Sequence, residues 1–136
     1  AVIPNVPDVS NNEDEWSVVF EANDEFITRF VKSKDALSEL ETFTVETRDG
    51  FHGEELVFTV GTNITNTIEF TVEATINESF SPVPFDSNLM KEILKANRDY
   101  HTGEIRINKK GLLDAHFHCG DDLYTGYYLV RKQENN

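Results

Sequence analysis

Three basic side chains in the segment LMKEILKANRDY, residues 89–100, are spaced as they would be on one face of a helix. Lys91, Lys95 and Arg98 follow one another at intervals of four and three residues, which brings side chains to the same side of an α-helix. Ammonium and guanidinium groups in such a row are suited to contact the phosphates of a nucleic acid. The segment therefore predicts binding to a polyanion rather than a catalytic centre.

A second segment, DEFITRFVKSKDALS, has the same organisation. Arg29 and Lys32 lie opposite its apolar stripe, while Lys34 falls nearer to the apolar edge. The two segments hold six of the 12 Lys and Arg residues of a chain that has 25 Asp and Glu residues and a formal net charge of −13. Such a chain is predicted to contact DNA at its two basic helix faces and to repel nucleic acid elsewhere.

The same pattern has a second interpretation. Exposed helix faces are commonly rich in lysine, and Lys91 has Glu92 and Asp99 nearby in the sequence as ion-pair partners. On this interpretation the chain is an acidic protein–protein interaction module with no role on DNA. The two interpretations differ in whether the basic faces contact a nucleic acid or only solvent.

Two other groups of polar residues invite a chemical interpretation. His116 and His118 share one face of a predicted strand, but Cys119 alternates to the other face, so the three do not complete a zinc site. His101 lies near acidic residues without a nucleophile or a predicted apolar pocket beside it. No phosphate-binding glycine loop or nucleophile elbow occurs. We therefore expect no metal, no cofactor and no enzymatic activity.

Hydrophobic periodicity and turn residues place the basic segments on two helices among short strands. The first helix is predicted to start at a cap on Asn23 or Asp24 and to end near Ser38, and the second to start at Asp86 or Ser87 and to end near Arg98 or Asp99. Their predicted apolar faces consist of Phe26, Ile27, Phe30, Val31 and Leu37 in the first helix and Leu89, Met90, Ile93, Leu94 and Ala96 in the second. Strands are predicted at 15–22, 42–49, 55–61, 66–75, 103–111, 112–120 and 125–133, with a short extended lead-in at 81–86.

The predicted order is strand, helix and three strands, and then the same pattern again. It indicates an α+β fold with antiparallel sheets and both helices packed on one side. We predict a single domain over residues 14–133, made of two pseudo-repeats at about 15–76 and 81–133, with a linker or mobile segment at 1–13 and a tail at 134–136. The start, which has two prolines and no Met, is explained either by a trimmed start or by a fragment of a longer polypeptide.

Compartment is indicated by cysteine use and hydropathy. The single Cys119 excludes an intramolecular disulfide and is typical of a reducing interior such as a bacterial cytoplasm. No apolar run approaches the roughly 20 residues that a membrane-spanning helix needs, and the first residues do not have the pattern of a signal peptide. We expect no membrane partner.

Several stretches of the chain resemble the C-terminal domain of the DNA sliding clamps of T-even-type bacteriophages, which are DNA polymerase processivity factors. The likeness covers about residues 14–133 and includes the repeated strand and helix plan with two basic helices. It is carried by IPNVP, NTIEFTVEATI, SPVPFDSNLMKEILKANRDYHTGEIRINKKGLLDAHF and YYLVRKQ.

The resemblance implies a clamp-like domain without catalysis that takes part in DNA replication. In this family, domains associate into a ring, a trimer of two-domain subunits, whose helices line a hole around duplex DNA. The implied partners are duplex DNA, a DNA polymerase, a clamp loader and further copies of the chain, in the cytoplasm of a bacterial host. The residues that would face DNA are Arg29, Lys32, Lys91, Lys95 and Arg98, with Lys109 and Lys110 as candidate contacts at the rim of the ring.

Overall fold

A computed structural model of the protein describes residues 16–61, 66–99, 102–120 and 123–133. Over these ranges the chain forms nine strands and two helices, and the strands build two antiparallel sheets. The predicted α+β class is therefore confirmed. In chain order the elements are β1 (Val18–Glu21), α1 (Asp24–Ala36), β2 (Thr42–Gly50), β3 (Gly53–Val60), β4 (Ile68–Val72), β5 (Thr75–Ile76), β6 (Val83–Asp86), α2 (Ser87–Ala96), β7 (Thr102–Asn108), β8 (Leu112–His118) and β9 (Tyr124–Val130).

Both helices start at a side-chain cap that the sequence predicts. The Asn23 side chain accepts a hydrogen bond from the backbone N–H of Phe26 at 2.9 Å. The Asp86 carboxylate accepts from the backbone N–H groups of Asn88 and Leu89, at 2.8 and 3.0 Å. These bonds satisfy N–H groups that have no partner within the first turn of a helix.

Both helices end earlier than predicted. α1 ends at Ala36 because Leu37 leaves the helical region of backbone conformation, at φ −121° and ψ 54°. α2 ends at Ala96, and the side chain of the next residue, Asn97, donates to the backbone carbonyl of Ile93 at 2.8 Å. Side-chain bonds of this kind compete with the continuation of a helix.

The strands of the two halves are exchanged between the sheets. The first sheet has the order β5-β1-β7-β8-β9 and the second has the order β4-β3-β2-β6. The strand that precedes α1 thus pairs with the strand that follows α2, and the strand that precedes α2 pairs with the strand that follows α1. Each sheet depends on both halves of the chain.

Two predicted segments differ from the observed strands. The predicted strand at 66–75 divides into β4, which pairs with β3, and a short β5 that crosses to the first sheet and pairs with β1. The lead-in at 81–86 contains a strand, β6, which pairs with β2 although Pro84 cannot donate to a ladder. Its position at the edge of the second sheet explains why proline is tolerated there.

A single large core joins the sheets and the helices, and phenylalanine rings form much of it. Phe43 and Phe58 stack at 5.8 Å between ring centroids, and Phe26 and Phe30 of α1 pack edge-on against Phe58 and Phe43 at 5.2 and 5.0 Å. Such pairs add specific ring contacts to the burial of apolar area. This aromatic packing holds α1 against the second sheet.

The apolar faces of the helices are partly as predicted. α1 buries Phe26, Ile27 and Phe30, and α2 buries Met90, Ile93 and Leu94. The prediction is wrong for Leu89, which is half exposed, and for Ala96, which is exposed, whereas the polar Asn97 is buried. Val31 and Leu37 of the first segment are only partly buried. Asn97 can be buried because it also donates to the Tyr127 hydroxyl and accepts from Thr125 of β9.

No helix within the described ranges is both long and apolar enough to cross a membrane.

Candidate nucleic-acid interface

The two helices lie side by side and run in opposite directions. Arg98, just after α2, donates to the Thr28 hydroxyl near the start of α1 at 2.8 Å. Lys91, in the first half of α2, is bonded to Asp35 at the end of α1. The spacing of four and three residues places Thr28, Lys32 and Asp35 in one row on α1. The same spacing places Lys91, Lys95 and Arg98 in one row along α2 and its end. The two rows face each other. We call the surface formed by these six residues the interhelix seam.

Three of the five residues predicted to face DNA form ion pairs with carboxylates of α1. Arg29 pairs with Glu25 at 2.7 Å, Lys91 pairs with Asp35, and Arg98 lies 3.9 Å from Asp24. The carboxylate of each pair is more than half exposed to solvent. A cation that already has an intramolecular partner gains less from a phosphate, so these three residues contribute less positive charge than their number indicates.

Arg29 also differs from the other four in position. Its guanidinium donates to the backbone carbonyl of Thr71 in β4 at 3.3 Å. It lines a hollow of about 490 Å³ between α1 and β4, on the side of α1 away from the ion pair of Lys91. The structure therefore brings Lys32, Lys91, Lys95 and Arg98 together at the seam and places Arg29 outside it.

Lys32 and Lys95 are the unpaired cations of the seam. Both side chains are exposed, and neither has a hydrogen bond or ion pair with any residue in the part of the chain that the structure describes. Lys32 lies between Thr28 and Asp35 on α1, and Lys95 lies between Lys91 and Arg98, so each is next to the residues that connect the two helices. Two ammonium groups at the centre of the seam are thus available for an external anion.

Asp35 lies close to three lysines, Lys91, Lys95 and Lys34. The pKa of its carboxyl is below the ordinary value, first because Lys91 donates a hydrogen bond to it and also because of the charges of Lys91, Lys95 and Lys34. Its side chain is 55% exposed. Asp35 is therefore ionised at neutral pH and compensates positive charge at one end of the seam.

Lys34 is buried and does not contribute to the basic surface of the helices. Only 3% of Lys34 is exposed, and its ammonium group donates to the backbone carbonyl of Ser38 at 2.7 Å. The aliphatic stem packs into the protein while the charge satisfies a carbonyl just beyond α1, where a cation is favoured. The position of Lys34 near the apolar edge of the predicted helix was the feature of the sequence that set it apart from Arg29 and Lys32.

Lys109 and Lys110 lie away from the seam, in the turn between β7 and β8. Lys109 forms an ion pair with Glu78 at 2.9 Å, and its backbone N–H donates to the Ser17 hydroxyl at 3.0 Å. Ser17 precedes β1, whereas α1 follows the other end of that strand. Lys110 is exposed. The turn is therefore not part of the surface that the helices form.

The outer face of the first sheet carries a polar cluster, of which only His116 was singled out from the sequence. The guanidinium of Arg106 lies 4.6 Å from the ring centroid of the buried Trp16 and is 2.6 Å from the Asp114 carboxylate. His116 places one ring nitrogen 3.3 Å from Asp114 and the other 3.5 Å from Glu104. A signal existed in the alternation of charged residues along β7 and β8. Because its charges pair with one another, the cluster leaves no unpaired cation for a phosphate.

Among the residues with described positions, no three His, Cys, Asp or Glu side chains form a group that could hold a metal ion. His116 and His118 do share a face, as predicted, with 6.4 Å between their ring centroids. The predicted separation of Cys119 from these two side chains is compatible with its position after β8, where it is only partly buried.

In comparisons with known proteins, no family model and no curated protein matches the chain.

Proposed function

We propose that the chain is a domain of a DNA sliding clamp, which encircles duplex DNA without reading its sequence and tethers a replicative polymerase, and that it has no catalytic activity. The observation that carries the proposal is the interhelix seam, where Lys32 and Lys95 are exposed and unpaired between two antiparallel helices. The seam would face the phosphates of the duplex.

The charge balance of the helices supports this function. α1 contains three basic and three acidic residues, and residues 87–99 contain three basic and two acidic residues. With six basic and five acidic residues, the helix pair is therefore close to neutral in a chain of net charge −13. A clamp needs attraction weak enough for movement along DNA, and a few exposed lysines provide this without contacts to base edges.

The exchange of strands between the sheets supports a clamp-like duplication over residues 14–133. If the chain is divided into pseudo-repeats at about 15–76 and 81–133, β1 and β6 are the first strands of the two repeats. β1 pairs with β7, which follows α2, and β6 pairs with β2, which follows α1. Such an arrangement would relate α1 to α2 and bring their basic rows to one side. The likeness of the two halves lies in element order and pairing.

Two sheet edges are suited to join domains into a ring. Within the described ranges, β4 pairs only with β3 and β9 pairs only with β8. At β6 the opposite edge of the second sheet is partly occupied, because the backbone N–H of Lys132 donates to the Pro84 carbonyl at 2.9 Å. Edge strands can pair with other chains. On β9, Tyr124 and Tyr128 are exposed. We infer self-association through β4 and β9, in a trimer of two-domain subunits.

The remaining parts of the proposal follow from the resemblance to phage clamps. They are a clamp loader and a DNA polymerase as partners, viral origin, and the cytoplasm of a bacterial host as location. A closed ring also explains how contacts as weak as those of the seam would suffice, because topology rather than affinity then retains the protein on DNA.

A titration of the ¹⁵N-labelled chain with short DNA duplexes tests the function. We expect weak binding whose logarithm falls with the logarithm of salt concentration at a slope of about −1.8, since two unpaired cations each contribute about −0.9. Two duplexes of unrelated sequence should bind equally. Absence of binding at low salt would favour the protein-interaction module, and preference for one sequence would contradict a sliding function.

A further inference from the structure

The ion pairs on the two helices are expected to contribute little to the stability of the fold. Asp35 and Lys91 are 55% and 28% exposed, and Glu25 and Arg29 are 68% and 49% exposed. Exposed pairs of this type contribute little to folding because water and salt screen them. Yet these pairs occupy cations on the surface that would otherwise be the most attractive to a polyanion.

Asp35 has the closest relation to the seam. It is bonded to Lys91, and Lys95 and Lys34 act on its carboxyl through their charges. A phosphate that approaches Lys91 must therefore replace the carboxylate as its partner, and a phosphate near Lys95 meets repulsion from the same carboxylate. No other carboxylate bonds to a lysine of the seam within the described ranges.

We propose that Asp35 is an internal competitor of the DNA phosphates that keeps the affinity of the seam for duplex DNA low. This inference rests on the proposed function and concerns its regulation. Asp35 is bonded to Lys91, and Arg98 donates to Thr28 and lies near Asp24, so the seam cations that release counterions when DNA binds are Lys32 and Lys95. Asp35 thus sets how strongly the protein is retained at one place on the duplex, and its removal converts a weakly held domain into a more firmly held one.

The test is Asp35→Asn in the whole chain, measured with the same duplex titration over a series of salt concentrations. Freeing Lys91 adds one cation, so the slope should steepen by about 0.9 and the affinity at about 0.15 M salt should rise about fivefold. The variant Asp35→Asn/Lys91→Gln lacks the freed cation as well. It should return to the slope of the wild-type chain.

Asp49→Asn is the matched control. It is the same substitution and changes the net charge by the same amount, but Asp49 is exposed in β2, outside the helices. Its slope and affinity should be those of the wild-type chain. The inference is overturned if Asp35→Asn binds no more tightly than Asp49→Asn, or if the double variant keeps the increase. Even if the inference about Asp35 is overturned, the proposed function stands as long as wild-type binding depends on Lys32 and Lys95. If no variant binds DNA, both the inference and the proposed function are contradicted.

Discussion

Reversal of the two unpaired lysines, in the variant Lys32→Glu/Lys95→Glu, is expected to abolish detectable binding to duplex DNA. Loss of two phosphate contacts alone weakens affinity about thirtyfold at about 0.15 M salt, and two added carboxylates repel the duplex further. Both side chains are exposed, so the fold should be retained. Duplex titration measures the loss, and circular dichroism verifies the fold.

The control for this variant is Arg131→Glu. Arg131 is exposed and follows β9, outside the helices. Its reversal should weaken binding far less than the double reversal at the seam. Equal effects per charge would mean that only the net charge of the chain matters. On the proposed function, reversal of Lys91 and Lys95 to Glu should likewise reduce clamp loading or polymerase processivity without loss of fold.

The second large effect is expected in the core, where Phe58→Ala should reduce the free energy of unfolding by about 3–5 kcal/mol. Phe58 is fully buried and stacks on Phe43 and Phe70 at 5.8 and 5.6 Å. It also packs edge-on against Phe26 of α1 at 5.2 Å. A cavity at this point therefore weakens the attachment of α1 as well as the second sheet. Urea denaturation followed by the fluorescence of Trp16, the one tryptophan, measures the change.

Phe51→Ala provides the corresponding control with the same substitution. Phe51 lies in the turn between β2 and β3 and is 95% exposed. Its truncation should change stability by less than about 0.5 kcal/mol. A similar loss for both variants would contradict the described packing, because it would mean that Phe58 is not more buried than Phe51.

Local features of the fold could be predicted from the sequence. Asn23 and Asp86 are caps because their side chains bond to N–H groups two or three residues away. Most strands are recognised by alternation, which depends on neighbours along the chain. The exchange of β1 and β6 between sheets could not be predicted, because strand pairing between distant segments depends on packing of the whole chain. The division of β4 from β5 has the same cause.

The candidate site shows the same limit. Helical spacing alone places Lys91, Lys95 and Arg98 on one face. The partners of these residues could not be predicted from the spacing, since Asp35 is 56 residues from Lys91 and Thr28 is 70 residues from Arg98. The interpretation without a DNA role named Glu92 and Asp99 as partners of Lys91, whereas Lys91 pairs with Asp35. Only the antiparallel packing of the helices determines which cations are paired and which two remain unpaired.

The proposed function requires that duplex DNA contacts the interhelix seam. This contact can be located by mapping amide chemical-shift changes on addition of a short duplex at low salt. We expect the changes to cluster at residues 28–35 and 91–98 and the outer faces of both sheets to be unaffected. Changes concentrated on the outer strands, or no changes at all, would show that the seam is not the DNA-binding surface.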